Sequence, residues 1–362
     1  MSLNGGMPLA NLPAPTLEGG TAPLPEVLVR YRAEVSSALR SSLSHHDPEV
    51  YNLLRYYMGW VDEHGYPSAG MEGKALRPTL CLFACEAVGG TPGMAMPAAV
   101  ALEFIHIFSL IHDDIQDEDE TRHNRKTLWK LWGVPKALVA GNVLRVVADQ
   151  ALHKLVHAGL EHDRALSAMG LLTEAYLEMI EGQYLDLSFE GRTDVGVDDY
   201  FQMISRKTGA LIRCSMALGA VVGSDDPEVA GAFRECGSAL GYVFQIRDDV
   251  LGVWGEEERT GKPVGADIRR KKNSYPVVYA KETAQQRDVK RLTEIYEKES
   301  VDDADVVTVL DVMDRANVKW HAQNNAASYA EAALDSISHV ELSRESRQEI
   351  EDLTRFLLVR DH

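Results

Sequence analysis

The chain has 362 residues, 45% of them hydrophobic, and sets 55 Asp and Glu against 37 Lys and Arg for a net charge of −18. So large an acidic excess argues against nucleic acid as a partner, and no run of 18 or more apolar residues marks a membrane span. A prior of about 150 residues per domain allows two domains, but no Gly-, Pro- or Ser-rich linker follows residue 25, so one large domain over residues 25–362 is expected.

Residues 1–24 are rich in Pro, Gly and Ala and hold a single charge, Glu18. They lack the basic start and apolar core of a signal peptide and the arginines of a transit peptide. A disordered or loosely draped tail on a cytoplasmic protein is expected. From Pro25 onward helical spacing dominates, first in Leu28, Tyr31, Val35, Ala38 and Leu39, then over residues 48–58. A glycine-rich loop over residues 65–73 leads to Lys74 and Arg77 at the start of a helix over about residues 77–88. Bare cations there oppose the helix dipole, whereas a bound anion would be favoured; plain surface charge is the competing reading.

The apolar run 101–111 recurs at helical spacing and ends in Asp113-Asp114-Ile115-Gln116-Asp117, with Arg122 beyond. Asp113 and Asp117 lie one turn apart on one face and repel unless a cation sits between them. Hard oxygen ligands so placed suit Mg²⁺; a solvated acidic helix end is the alternative. Long helices are expected over residues 137–155 and 166–187. The second holds Glu181-Gly182-Gln183, with Gln183 and Asp186 on one face, either lining a cavity or paired structurally. A helix over residues 198–215 carries Lys207-Thr208, and snorkelling to the surface is the plain reading of that lysine. The helix over residues 228–254 carries Gln245-Ile246-Arg247-Asp248-Asp249, about 135 residues after the first acidic cluster. A loop over residues 255–267 holds Gly261-Lys262-Pro263, and Lys272 precedes Pro276. Few alternating runs compete, so the fold class is all-α. Cys81, Cys85, Cys214 and Cys236 read as small buried hydrophobes with reduced thiols.

Two acidic clusters could face each other across a bundle core, as bundle metal sites do. Lys74, Arg77, Arg122, Arg125, Lys207, Lys262 and Lys272 surround them in the sequence, and carboxylate-bound Mg²⁺ with such cations makes a receptor for a polyphosphate. Walker and dinucleotide glycine patterns are absent, and no Ser-His-Asp or thiol arrangement stands out. The pattern suits withdrawal of a diphosphate leaving group by metal ions, inside a dry apolar pocket.

In this order the motifs resemble those of the trans-isoprenyl diphosphate synthases, the polyprenyl synthase family, over about residues 24–358. The resemblance implies a single large helical bundle of the isoprenoid synthase type, usually a homodimer. It also implies an Mg²⁺-dependent condensation of an allylic diphosphate with isopentenyl diphosphate. Three Mg²⁺ ions are implied, two on Asp113 and Asp117 with Asp114 supporting, and one on Asp248 with Asp249 nearby. Arg122, Lys207, Lys262 and Lys272 would grip the allylic diphosphate, with Thr208 and Gln245 in the same substrate-binding set. Lys74, Arg77 and His106 match the isopentenyl diphosphate site. Asp113, Asp117, Lys207, Asp248 and Lys262 form the implied catalytic set.

Three departures bear on this picture, one of them Asn142, which stands where a Gly-Asp pair is common and is given no role. His123 stands where the family often has a second arginine, so the grip on isopentenyl diphosphate weakens unless Arg125 or protonated His123 compensates. Gly252 stands where the second acidic motif usually ends in Asp. Phe108, five residues before Asp113, and the small Ser109 beside it imply mainly a C20 product, geranylgeranyl diphosphate, with the C15 farnesyl product next. A class I terpene cyclase, which is a lyase, and a non-catalytic subunit are the rival readings. A cyclase needs only one diphosphate pocket, whereas Lys74, Arg77 and His106 suggest two.

Overall fold

The computed structural model describes residues 24–44, 48–68, 75–261 and 263–361. Residues 1–23 of the expected tail, and Lys74 and Lys262, lie outside the described residues. The described chain is almost wholly helical. It begins with α1 (Glu26–Arg30), α2 (Arg32–Ser42), α3 (Pro48–Tyr57), α4 (Leu76–Ala87) and α5 (Pro92–Gln116). A two-residue hairpin follows, β1 (Thr121–Arg122) against β2 (Arg125–Lys126). Then come α6 (Leu128–Trp132), α7 (Val134–His157), α8 (His162–Phe189) and α9 (Val197–Ile204). After a π-helical segment, Ser205–Gly209, the chain continues with α10 (Ala210–Gly223), α11 (Pro227–Trp254), α12 (Glu257–Thr260) and α13 (Ala266–Arg269). It closes with α14 (Tyr275–Thr283), α15 (Gln286–Tyr296), α16 (Asp303–Arg315), α17 (Val318–Ser336) and α18 (Arg344–Val359).

α5 is the middle of the bundle. Pro92 at its start fits the first turn, where a missing N–H costs nothing. Its buried Ala95, Ala98, Ala99 and Ala101 bring α4, α7 and α10 close, while Phe104, Ile105 and Ile111 fill the gaps. Burying each such large apolar side chain contributes about 1.5–3 kcal/mol. By length and composition α5 could cross a membrane, yet most of it is buried here within the bundle. α10, α11 and α17 extend the main core, and α13 to α16 enclose a second, smaller one around Val277, Leu292, Val309 and Met313.

Two expectations change. The helix foreseen over residues 198–215 is α9, a wide π turn, then α10. The cause lies on a neighbour. A Cβ at Gly182 of α8 would stand 2.1 Å from the Lys207 amide nitrogen, so only glycine lets the widened backbone approach. The loop foreseen over residues 255–267 contains α12, ended by Gly261 in the left-handed region, and leads into α13 through Gly265 in the same region.

Candidate functional site

The last turn of α5 carries the first acidic motif, and its three aspartates are not alike. Asp114 is 1% exposed. One of its oxygens accepts the Tyr57 hydroxyl at 2.8 Å and the other accepts Arg122 Nε at 2.6 Å. Asp113 is partly buried and Asp117 more open, and among the described residues no hydrogen-bond donor reaches either. Burial above all, with Asp117 adding its charge, pushes Asp113 up to about 6 even though Lys207 pulls the other way. Burial likewise raises Asp117 against Lys207 and Lys272. Two carboxylates one turn apart, short of donors and reluctant to ionise, have the chemistry of a divalent-cation site. Among the described residues no three His, Cys, Asp or Glu side chains converge on one point.

Lys207 lies on the π segment, a feature often found at functional positions. It does not snorkel. Its Nζ lies 2.5 Å from Asp186 of α8. Burial opposes its charge, but Asp186 and Asp113 outweigh burial and raise its pKa. Asp186 is thus paired, and Gln183 donates from Nε2 to Gln116 Oε1 at 2.9 Å.

The second acidic motif, on α11, is held by protein donors. Thr208 gives its hydroxyl hydrogen to Gln245 Oε1 at 2.6 Å, and Gln245 Nε2 donates to Asp249 Oδ1 at 2.9 Å. Asp249 Oδ2 accepts the Tyr200 hydroxyl and the Tyr275 amide, each at 2.7 Å. Burial, reinforced by Asp267, pushes Asp249 up to about 7. Asp248 is the open member, its side chain 40% exposed and paired with Arg360. Gly252 has a steric reason, since a Cβ there would lie 2.1 Å from an oxygen of Asp267.

Several links bring these two regions to one end of the bundle. Arg77, at the start of α4, feels the charges of Glu103 on α5 and Asp248 on α11, and its Nε is buried without a partner among the described residues. Lys272 acts on Asp117, and Arg270 pairs with Asp119 just past α5. Burial first, then Arg77 and Arg122, holds the His106 imidazole well below its usual pKa, so it is neutral at pH 7. Phe108 packs on His112 with ring centroids 4.6 Å apart, and Ser109 gives its hydroxyl to the His106 carbonyl at 2.7 Å.

Arg125, named with His123 as a candidate compensating group, is engaged elsewhere. Its Nη1 and Nη2 donate to the carbonyls of Tyr56 and Val61, each at 2.8 Å, and its guanidinium covers the Tyr56 ring. His123 and Asn124, with φ of 50° and 59°, form the tight turn between β1 and β2. The sequence reading also gave no place to Tyr57, Glu103, His112 or Arg360. Gly141 offered a signal for His112, because a Cβ at that position would meet the imidazole at 2.6 Å. Nothing local pointed to Arg360.

The family model for polyprenyl synthetase matches residues 60–313. A short chain isoprenyl diphosphate synthase of Methanothermobacter thermautotrophicus is 36% identical over 93% of this chain and 98% of its own. A (2E,6E)-farnesyl diphosphate synthase of Mycobacterium tuberculosis is 33% identical over 90% of each chain. The crystal structure of a geranylgeranyl pyrophosphate synthetase from Pyrococcus horikoshii superposes with a TM-score of 0.83 at 33% identity, covering 92% of this chain and 98% of that one. Other similar proteins are named as geranylgeranyl and geranylfarnesyl diphosphate synthases.

Proposed function

Since the chain belongs to the polyprenyl synthetase family, and so to the prenyltransferases that make short-chain trans-prenyl diphosphates, we propose that it joins an allylic diphosphate to isopentenyl diphosphate and releases mainly the C20 product, with C15 second. The observation that carries this reading is the pair of carboxylates, Asp113 and Asp117, short of donors among the described residues and acted on by the charge of Lys207, with Arg77 near both Glu103 of α5 and Asp248 of α11. Asp113 and Asp117 would hold two Mg²⁺ ions and Asp248 a third. Bound there, the ions would neutralise the diphosphate and favour its departure.

The other roles belong to side chains. Lys207, steadied by Asp186, and Lys272 reach the allylic diphosphate. Arg122, oriented by Asp114 and so by Tyr57, does the same from the opposite side. Asp114 therefore supports the site through Arg122 rather than as a ligand, and Asp249 with Thr208 and Gln245 fixes the backbone around Asp248. Arg77 and neutral His106 supply donors to isopentenyl diphosphate; the buried Arg77 Nε is a polar group in want of an anion. The expected roles of Lys74 and Lys262 rest on the sequence motifs. The allylic cation left by ionisation is attacked by the isopentenyl double bond, and a proton then passes to the released diphosphate, with apolar walls excluding water.

For product length, Phe108 backed by His112 would form the floor beneath the first motif. Phe108→Ala is expected to lengthen the product by one or more C5 units, read by chromatography of the dephosphorylated prenols; an unchanged product would remove Phe108 from the floor. Val139 and Val146 on α7 and Leu177, Ile180 and Tyr184 on α8 are exposed at helical spacing. A second copy of this chain is the proposed cover, giving a homodimer that light scattering can test. Four buried free thiols agree with the reducing cytoplasm.

The test of the whole reading is incubation with Mg²⁺, labelled isopentenyl diphosphate and C5, C10 or C15 primers, followed by chain-length analysis. Labelled prenyl diphosphates are expected. Hydrocarbon formed from a C20 diphosphate alone would mark a cyclase, and no turnover with any primer would mark a non-catalytic subunit.

A further inference from the structure

Residues just past α18 are buried against the second acidic motif: Arg360 is 5% exposed and Asp361 6%. The Arg360 guanidinium lies over the Phe244 ring, 4.3 Å from its centroid, and donates from Nη2 to the Phe244 carbonyl at 3.2 Å and to Asp248 Oδ1. Arg247 of α11 fixes the backbone that carries it, donating from Nε to the Arg360 carbonyl at 2.7 Å and from Nη2 to the Val359 carbonyl at 3.2 Å. Asp361 in turn accepts Arg259 Nη1 of α12 at 2.9 Å. Three arginines and two aspartates are thus interleaved where α18 meets α11. Such a network persists only if each buried charge keeps its partner.

We propose that Arg360 is a positioning residue for Asp248, holding one carboxylate oxygen so that the other is presented to a divalent cation. This rests on the reading of Asp248 as a metal ligand. Ligating carboxylates are commonly held in this way, and loss of the holding group lowers metal affinity or activity about 10–100-fold. Of the site aspartates, Asp248 has its orienting cation 112 residues further along the chain. Arg122, which holds Asp114, lies only eight residues from it. Arg360 therefore forms part of the site, and Asp361 extends the same contact to α12, just ahead of Gly261-Lys262-Pro263 in the sequence.

The experiment compares wild type with Arg360→Met, which keeps the stem over Phe244 but removes the fork and charge, and Arg360→Lys, which keeps the charge alone. Each is titrated with Mg²⁺ in the presence of inorganic diphosphate, with binding followed by calorimetry and by the rise in Tm. Steady-state kinetics are measured in parallel. Arg360→Met should raise the Mg²⁺ concentration for half-saturation about 10-fold or more and lower kcat, with KM for isopentenyl diphosphate within about threefold. Arg360→Lys should fall between the two. If Arg360→Met does not fold, Arg360→Lys decides the matter at a temperature where it is folded: wild-type Mg²⁺ half-saturation would overturn the proposal. Asp248→Ala is the control for the underlying reading. Full activity in that variant would sink the metal-ligand assignment itself. Loss of activity in Asp248→Ala with wild-type behaviour in both Arg360 variants would sink only the role of Arg360.

Discussion

The two acidic walls are built from the same residue type on helices of 25 and 28 residues, yet the protein treats them differently. On α5, Asp113 and Asp117 stand without hydrogen-bond donors among the described residues, and their surroundings raise their pKa values. On α11, Asp249 is fastened by Gln245, Tyr200 and the Tyr275 amide, and Asp248 by Arg360. One wall is short of protein donors, and the other is fastened by them. On the proposed reading, preorganisation on the fastened side would spare reorganisation when charge develops, while the other side would offer its carboxylates to Mg²⁺ together with the substrate's own oxygens.

The contrast can be broken most forcefully at the first wall. Asp113→Ala or Asp117→Ala should lower kcat/KM about 10²–10³-fold, while leaving the Tm of the metal-free protein equal to or above wild type, because a repulsion has gone. A large loss of Tm in metal-free protein would show that these acids are structural. Asp249→Ala should do the reverse and destabilise by about 2–3 kcal/mol in urea unfolding, since it orphans Tyr200, Gln245 and the Tyr275 amide. Stability equal to wild type would mean that this network is dispensable.

The smallest effect is one of pH. Asp113 and Asp249 have folded pKa values of about 6 and about 7, against about 3.9 for an unfolded Asp. Between those limits the folded state binds more protons, so metal-free stability should fall as pH rises from 4 through 7. Asp113→Asn should flatten the part of the slope that ends near pH 6 and leave the part that ends near pH 7. A slope unaltered in Asp113→Asn would place the titration elsewhere.

Much of this was legible in the sequence because it is local. Both acidic helices, the helix starting near Arg77, and the cations flanking them follow from spacing and helix-end chemistry. What was not legible is set by partners distant in sequence. Asp114 and Asp113 are neighbours of one type, and what separates the satisfied carboxylate from the other is Arg122 together with Tyr57, 57 residues earlier. The π turn around Lys207 depends on a missing side chain at Gly182. Arg125 looked free to bind phosphate until the carbonyls of Tyr56 and Val61 claimed it, and Arg360 is 112 residues from the acid it holds.

The wide turn at Ser205–Gly209 has one more consequence. Lys207 faces α8 and the charges of the first acidic wall, while Thr208, the next residue, begins the hydrogen-bond chain that ends on Asp249. A single peptide group therefore tethers both halves of the site. A diphosphate drawing Lys207 inward on one side would tug, through that one rigid plane, on the scaffold of the other, so a substitution in one half is expected to be felt in the other.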